Sequence, residues 1–294
     1  MELVSVIIPT YKRKGDIVSR AINSIITQEY KNWEVLIIDD NDDDMYSIDI
    51  KSYIDKLNDN RIKYIKNSSN IGSAKSRNIG ITLSKGEYIT FLDDDDEYLP
   101  PKIKLQLEAM ISSGADFSIT NLNLYNIDNN KLVEVRIRSF IKEVDTQHLL
   151  KYHIKYHLTG TNCLMFKREY LIKIGMFDDI DLGDEYYLME KSILAKGKFI
   201  WLDHCYIKAY IHNNDNGLSS GSSKIKCEND LYMHKKKFYK YLNNKDIKYV
   251  KMRHFAVIAF AELRRKKYIN FLKNSIYCFI FSPTEAIKLI INLK

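Results

Sequence analysis

The sequence predicts an α/β protein: a Rossmann-like, mostly parallel central sheet flanked by helices, followed by a C-terminal helical region. Three observations carry this. Short β-rich runs alternate with segments of helical period three times before residue 92. A strand–helix–strand order implies right-handed parallel crossovers. Two of the apolar runs end in acids, so both acid clusters fall on one carboxyl edge of the sheet, where ligands bind in open α/β folds.

Val4-Ser5-Val6-Ile7-Ile8 reads as a buried first strand ended by Pro9. Thr10 to Gly15 form a polar, basic loop, and Asp16 is placed to cap the following helix. Ile17, Val18, Ala21, Ile22, Ile25 and Ile26 share one face of that helix. Glu34-Val35-Leu36-Ile37-Ile38 is the second strand, ending in Asp39-Asp40. Asp42 to Leu57 holds an acidic turn and a helix, and Arg61-Ile62-Lys63-Tyr64-Ile65 is the third strand. Asn70-Ile71-Gly72-Ser73 leads into a helix carrying Lys75 and Arg77. Tyr88-Ile89-Thr90-Phe91-Leu92 is the central strand, and Asp93-Asp94-Asp95-Asp96-Glu97 follows it.

Beyond the acid run, Pro100 to Met110 reads as helix and Ala115 to Ile119 as strand. Residues 121–144 alternate polar and apolar, as an antiparallel hairpin does. Thr146 to Tyr156 is helical, and a turn at Thr159 to Asn162 precedes Cys163-Leu164-Met165-Phe166. Asp184-Glu185 open a helix to Lys196, where acids suit the dipole. Phe199 to Leu202 and Tyr206 to Ile211 are late strands, and residues 212–223 are a loop rich in Asn, Gly and Ser.

Length and composition suit one large core or two domains, and 11 Gly with 4 Pro leave little room for linkers. The expected division is an α/β domain over residues 1–220 and a helical region over 221–294. A net charge of +7 permits a basic face toward anionic lipid or nucleotide phosphate, with no nucleic acid expected as partner. Cys163, Cys205, Cys227 and Cys278 form no CxxC pair and imply free thiols in a reducing, cytoplasmic setting. The opening Met1 to Ser5 shows no signal-peptide pattern, and no apolar run reaches the ~18–20 residues that a bilayer span needs.

The acid run is the chemical centre of the sequence. Carboxylates packed this closely repel one another unless solvent or a cation relieves them. A hard divalent cation such as Mg²⁺ or Mn²⁺ binds one or two such carboxylates together with substrate phosphates.

Five motifs in order then make the chain resemble a family 2 glycosyltransferase of the GT-A fold, inverting and non-processive. They are Val4 to Tyr11; Ile37-Ile38-Asp39-Asp40; Gly72 with Ala74-Lys75-Ser76-Arg77-Asn78-Ile79-Gly80; Phe91-Leu92-Asp93-Asp94-Asp95-Asp96; and Gly175-Met176-Phe177-Asp178 followed by Asp184-Glu185. The resemblance covers roughly residues 3–215.

It implies sugar transfer from a nucleoside diphosphate sugar, UDP being the family's commonest nucleotide, to a hydroxyl of a glycan or lipid-linked acceptor. It makes Asp93 and Asp95 the metal ligands for Mn²⁺ or Mg²⁺, with His212 as a further metal or diphosphate contact. It places Asp94 at the ribose or donor sugar. Asp39 falls at the nucleotide base, Arg77 near the base and phosphates, and Thr10 and Tyr11 beside the same pocket. It makes Glu185 the general base, with Asp184 as the alternative, because the family order of Glu then Asp is reversed here. The QxxRW motif of processive synthases is absent, so transfer of a single sugar is expected.

The C-terminal region carries Lys235-Lys236-Lys237 and Arg264-Arg265-Lys266-Lys267 beside apolar helical faces. Three readings stand for it: contact with the inner face of the plasma membrane, a helical cap packed on the main domain, or an oligomer contact. Two other functions compete with the transferase. A nucleotidyltransferase would carry a Gly-rich loop after the first strand, where Thr10 to Gly15 has one glycine. A non-catalytic nucleotide-binding scaffold would not need acids at both the donor and acceptor positions.

Overall fold

The structure is a computed structural model that describes residues 1–180, 183–211 and 221–291. The chain forms two compact units, Met1–Thr146 with Leu158–His212, and Gln147–His157 with Asn213–Lys294.

The first unit opens with β1 (Val4–Thr10), α1 (Gly15–Ile26), β2 (Trp33–Asp39), α2 (Asp44–Leu57), β3 (Ile62–Lys66), α3 (Ser73–Leu83) and β4 (Tyr88–Phe91). It continues with β5 (Glu97–Tyr98), α4 (Lys102–Ser113), β6 (Phe117–Thr120) and the hairpin β7 (Leu122–Asn126) and β8 (Leu132–Arg136). After α5 (Thr146–Tyr156) come β9 (Leu164–Lys167), α6 (Arg168–Lys173), α7 (Asp184–Leu194), β10 (Phe199–Leu202) and β11 (Ile207–Ile211).

The main sheet has the order β10-β6-β9-β4-β1-β2-β3. All neighbouring pairs are parallel except those of β9, which runs antiparallel to both β4 and β6. Every residue of β1 and β2 is buried, which is why both read as continuous apolar runs rather than alternating ones. Each such Val or Ile contributes about 1.5–3 kcal/mol by leaving water. On α1, Val18, Ala21, Ile22 and Ile25 are buried as their spacing requires. Helix α3 lies so close to β1 that a β-carbon on Gly80 would sit 2.5 Å from Ile7 Cγ2.

Asp16 is not the cap of α1. The helix begins at Gly15 with Lys14 in the capping position, and Asp16 bonds the adjacent Ile17 N–H at 3.0 Å from inside the first turn. A β-carbon at Gly15 would lie 3.0 Å from Asp49 Cβ, so α1 approaches α2 closely there.

A second sheet, β5-β11-β7-β8, contains the expected antiparallel hairpin β7–β8. Its strand β5 is the direct continuation of the acid run. The late strand β11 therefore reaches the same turn from the other side, pairing antiparallel with β5 and parallel with β7.

The second unit consists of α5, α8 (Gly221–Lys236), α9 (Asn244–Arg264), α10 (Tyr268–Phe281) and α11 (Pro283–Ile291). Met252 and Ala256 of α9 pack with Cys278 of α10 and Ala286 of α11. Phe255 stacks on Tyr277 at 4.7 Å and on Phe281 at 5.6 Å. The buried Asp246 carboxylate pins α5 to α9 through Lys151 at 3.1 Å and Lys155 at 2.5 Å. No described helix is long and apolar enough to cross a membrane.

Candidate active site

The carboxyl end of β4 turns sharply at residues 93–96, with the Asp96 N–H donating to Asp93 O at 3.1 Å. Asn162, just before β9, clamps this turn at both ends. Its Oδ1 accepts the Asp93 N–H at 2.7 Å, and its Nδ2 donates to Asp96 Oδ2. The Tyr210 N–H of β11 donates to the other Asp96 oxygen at 2.8 Å. Asp96 thus serves the turn itself. Below the turn, the Tyr98 hydroxyl donates to Phe91 O at 2.5 Å, and Lys102 Nζ sits 2.7 Å from Thr90 Oγ1 and 3.8 Å from the Tyr98 ring centroid. Burial pushes the Lys102 amine well below its ordinary range.

Two arginines from the first β-α segment hold the outer side of the turn. Arg13 donates from Nε to Asp94 Oδ1 at 3.0 Å and from Nη2 to Asp95 Oδ2 at 2.6 Å. Arg20 donates to the Asp95 backbone carbonyl at 2.6 Å and lies over the Tyr210 ring at 4.2 Å. Even so, the carboxyls stay uncomfortable. Burial raises Asp93 and Asp94, the latter to about 7, with Arg77 and Arg13 pulling down and Asp95 pushing up. Burial followed by Asp95 and Asp93 lifts Asp96 well above the usual carboxylate range. All donors at the turn are carboxylate oxygens that repel one another, a set that fits a hard divalent cation.

Arg77 ties this turn to the second acidic motif. Its buried guanidinium donates to Asp93 Oδ1 at 3.0 Å and to Asp184 Oδ2 at 2.8 Å. Desolvation opposes its charge, and the carboxylates of Asp93, Asp184 and Glu185 more than restore it. The loop before α7 docks on the same helix, because Asn78 exchanges hydrogen bonds with the Phe177 backbone at 2.9 and 3.0 Å. The Phe177 ring meets Phe91 edge-on at 5.1 Å. Asp184 is buried, with its other oxygen accepting the Glu185 N–H at 3.0 Å. Glu185 is only partly covered, and burial followed by the Asp184 charge raises its carboxyl to about 8.

Asp39 is fully buried at the end of β2 and already has protein donors: the Asn41 N–H at 2.9 Å, Asn41 Nδ2 at 2.7 Å and the Tyr64 hydroxyl. Burial works against its charge, but bonds from Ser47, Tyr64 and Asn41 outweigh it and hold the carboxyl low. Asp40 accepts from Asn67 Nδ2 at 2.8 Å and from the N–H groups of Ile71 and Gly72 at 2.9 Å each, which fixes the entry to α3. Thr10 is buried with no hydrogen-bond partner for its hydroxyl among the described residues, while Tyr11 stands partly exposed beside Lys12. His212 lies outside the described residues.

The structure therefore brings Thr10, Asp93, Asp94, Asp95, Arg77, Asp184 and Glu185 to one sheet edge, with Asp39 one strand further on and Arg77 committed to two carboxylates. Arg13, Arg20, Asn162 and Tyr210 belong to the same constellation without having been singled out in the sequence. The only signals were the basic character of the loop after β1 and the turn before β9, neither of which names a partner.

The glycosyl transferase family 2 model matches residues 5–175, more than half of the chain. An uncharacterized glycosyltransferase of Methanocaldococcus jannaschii is 29% identical over 99% of this chain and 93% of its own length. The Escherichia coli protein WfaP, a UDP-Glc:alpha-D-GlcNAc-diphosphoundecaprenol beta-1,3-glucosyltransferase, is 31% identical over 68% of this chain and 82% of its own. Staphylococcus aureus TarS 1–349, solved with UDP-GlcNAc, superposes with a TM-score of 0.59 at 20% identity, covering 98% of this chain and 76% of that one, a likeness of fold. The expected α/β, Rossmann-like GT-A architecture is the one observed.

Proposed function

The chain belongs to glycosyl transferase family 2 and is a transferase enzyme, and from that premise we propose that it moves one sugar, with inversion, from a UDP-sugar to a hydroxyl of a lipid-linked glycan in cell-surface polysaccharide synthesis. The observation that carries this reading is the Arg77 bridge. It joins Asp93 on the donor side to Asp184 beside the base, which lies 107 residues beyond Arg77, so a donor diphosphate and an acceptor hydroxyl can meet at one edge. WfaP, with a UDP-glucose donor and a lipid diphosphate acceptor in its name, supports both substrate classes.

Asp93 and Asp95, with His212, would hold Mn²⁺ or Mg²⁺, which when bound neutralises charge developing on the leaving diphosphate. Asp94 contacts the ribose or donor sugar. Tyr11 stacks on the base, and Asp39 receives a base N–H in place of the Asn41 amide. Glu185 removes the acceptor proton: its carboxyl, raised to about 8, is matched to a base working near neutrality. Asp184 is locked by Arg77 and orients the start of α7. The acceptor oxygen then attacks the anomeric carbon from the face opposite the diphosphate, through an oxocarbenium-like state.

The second unit supplies the setting for a lipid-linked acceptor. Ile269, Leu272, Ile276 and Ile280 recur at helical spacing on α10, and all are exposed, Ile269 at 83%. Ile287, Ile290 and Ile291 of α11 are exposed likewise. Between residues 264 and 291, Arg264, Arg265, Lys266, Lys267, Lys273 and Lys288 stand against the single acid Glu285. An apolar stripe flanked by cations suits an anionic lipid surface. Cosedimentation with anionic vesicles tests it: full-length protein binds and Ile269→Ser/Ile276→Ser does not, whereas self-association without vesicle binding would replace this reading by a dimer contact.

The donor site is tested by thermal-shift titration with UDP, GDP, CDP and dTDP, each with and without Mn²⁺. A ligand that binds the folded state raises its stability by mass action. A shift with UDP that needs the metal supports the reading; no shift with any nucleotide overturns it in favour of a scaffold.

A further inference from the structure

Two arginines grip the acid turn in different ways. Arg77 has 8% of its side chain exposed and is held between carboxylates from two separate segments. Arg13 has 32% of its side chain exposed and grips two carboxylates of one turn. It lies between β1 and α1, in a stretch that is neither helix nor strand.

The oxygen that Arg13 holds most closely, Asp95 Oδ2 at 2.6 Å, belongs to the residue assigned above to the cation. At that oxygen a guanidinium and a divalent cation compete for the lone pairs and repel each other. A cation taken up at that oxygen therefore displaces Arg13. The turn does not depend on it for shape. Arg20 holds the Asp95 carbonyl, Asn162 holds Asp93 and Asp96, and Tyr210 holds Asp96, all independently of Arg13.

The donor gives Arg13 a new partner. A planar guanidinium fork matches phosphate oxygens as well as carboxylates, so a diphosphate bound at the turn would offer Arg13 a partner of the same kind. Resting on the donor-site reading above, we infer that Arg13 is an exchangeable counter-ion that neutralises Asp94 and Asp95 in the empty site and transfers to the donor diphosphate when the cation takes its place. Metal alone must compete with Arg13 for Asp95. Metal with diphosphate does not, because the phosphates receive the displaced guanidinium. The two ligands therefore bind cooperatively, and the coupling resides in one side chain.

The test measures affinity rather than turnover. Mn²⁺ alone, and UDP in saturating Mn²⁺, are titrated by calorimetry into wild type, Arg13→Gln and Arg13→Lys, with melting curves to verify folding. The expected result is that Arg13→Gln binds Mn²⁺ alone ~10-fold tighter and UDP with Mn²⁺ ~10-fold more weakly, opposite signs from one substitution that collapse a coupling of ordinary size. Arg13→Lys, which keeps the charge but loses the fork, should lie between on both measures. Weakening of both ligands together would make Arg13 a simple buttress of the turn and overturn the exchange, as would an unchanged Mn²⁺ affinity. Wild-type protein that binds neither Mn²⁺ nor UDP would instead overturn the donor-site reading beneath it.

Discussion

Two acid clusters end strands of the same sheet with β1 between them, and the protein treats them in opposite ways. Asp39 and Asp40 are surrounded by fixed donors from Asn41, Tyr64, Asn67, Ile71 and Gly72. Their charges are met within the chain, and Asp39 is held low despite its burial. At the acid turn, burial and mutual repulsion raise Asp93, Asp94 and Asp96. A carboxylate satisfied by its own protein serves shape. A carboxylate left strained by its neighbours is where a ligand's charge has most to gain.

Substitution separates the two kinds of acid. Asp95→Ala should show the largest effect on function and almost none on folding. Losing the cation forfeits several kcal/mol of charge stabilisation, about 10⁴-fold in turnover at about 1.4 kcal/mol per tenfold, while the melting temperature holds or rises because a repulsion is relieved. An Asp95→Ala protein that still needs Mn²⁺ to bind UDP would break the contrast at its centre. Glu185→Gln should retain UDP-sugar binding and lose about 10³-fold in kcat. In wild type, kcat/KM should climb with pH until Glu185 ionises near 8, and the variant's residual rate should be flat across that range. Full activity in Glu185→Gln would shift the base to Asp184.

Asp40→Ala should do the reverse of Asp95→Ala. It leaves two backbone N–H groups without their acceptor and the Asn67 amide with Ser76 alone, which costs about 3 kcal/mol of stability, with nucleotide affinity little changed once the protein is folded. Denaturant melts would expose an error here at once. Asn162→Leu removes both clamps on the acid turn and should weaken Mn²⁺ binding by ~10-fold, the scale on which supporting hydrogen bonds tune metal ligands. The smallest effect is on stability against pH. Asp94 and Glu185 have folded values near 7 and 8, above those of the unfolded chain. Their stabilisation is complete below about pH 4, the ordinary carboxyl range, and is lost as pH rises through the folded values. With chelator, the melting temperature should therefore fall by a few degrees from about pH 6 to 9. Mn²⁺ should flatten that slope, and an unchanged slope would place the strain elsewhere.

Much of this could be read from residues alone, for identifiable reasons. Val4 to Ile8 and Val35 to Ile38 are apolar on every position because both sheet faces are covered, and α1 shows its buried stripe at Val18, Ala21, Ile22 and Ile25. The acids at the strand ends follow from the parallel order. Strand direction was not legible: Leu164-Met165-Phe166 looks like any buried strand, and only pairing shows it to be antiparallel. Strand β5 is two residues long and hidden in the tail of the acid run. Lys102 follows two prolines like a surface helix start, yet it is core, because Thr90 and Tyr98 receive its amine. Arg13 and Asn162 were unreadable for a simpler reason. Each acts through a partner dozens of residues away, and no local pattern marks a long-range hydrogen bond.

Strand β9 has a consequence for how the molecule comes into being. It supplies the second edge of β4 and, through Asn162, the clamp that reaches back 69 residues to Asp93. During synthesis every acid of the turn is present long before that clamp exists, so the nascent chain carries four crowded carboxylates on an unpaired strand edge. Contacts of such sequence separation form slowly. The acid turn should therefore be among the last parts of the first unit to become ordered, and a fragment stopping short of residue 162 should fold its nucleotide-side strands yet bind no cation.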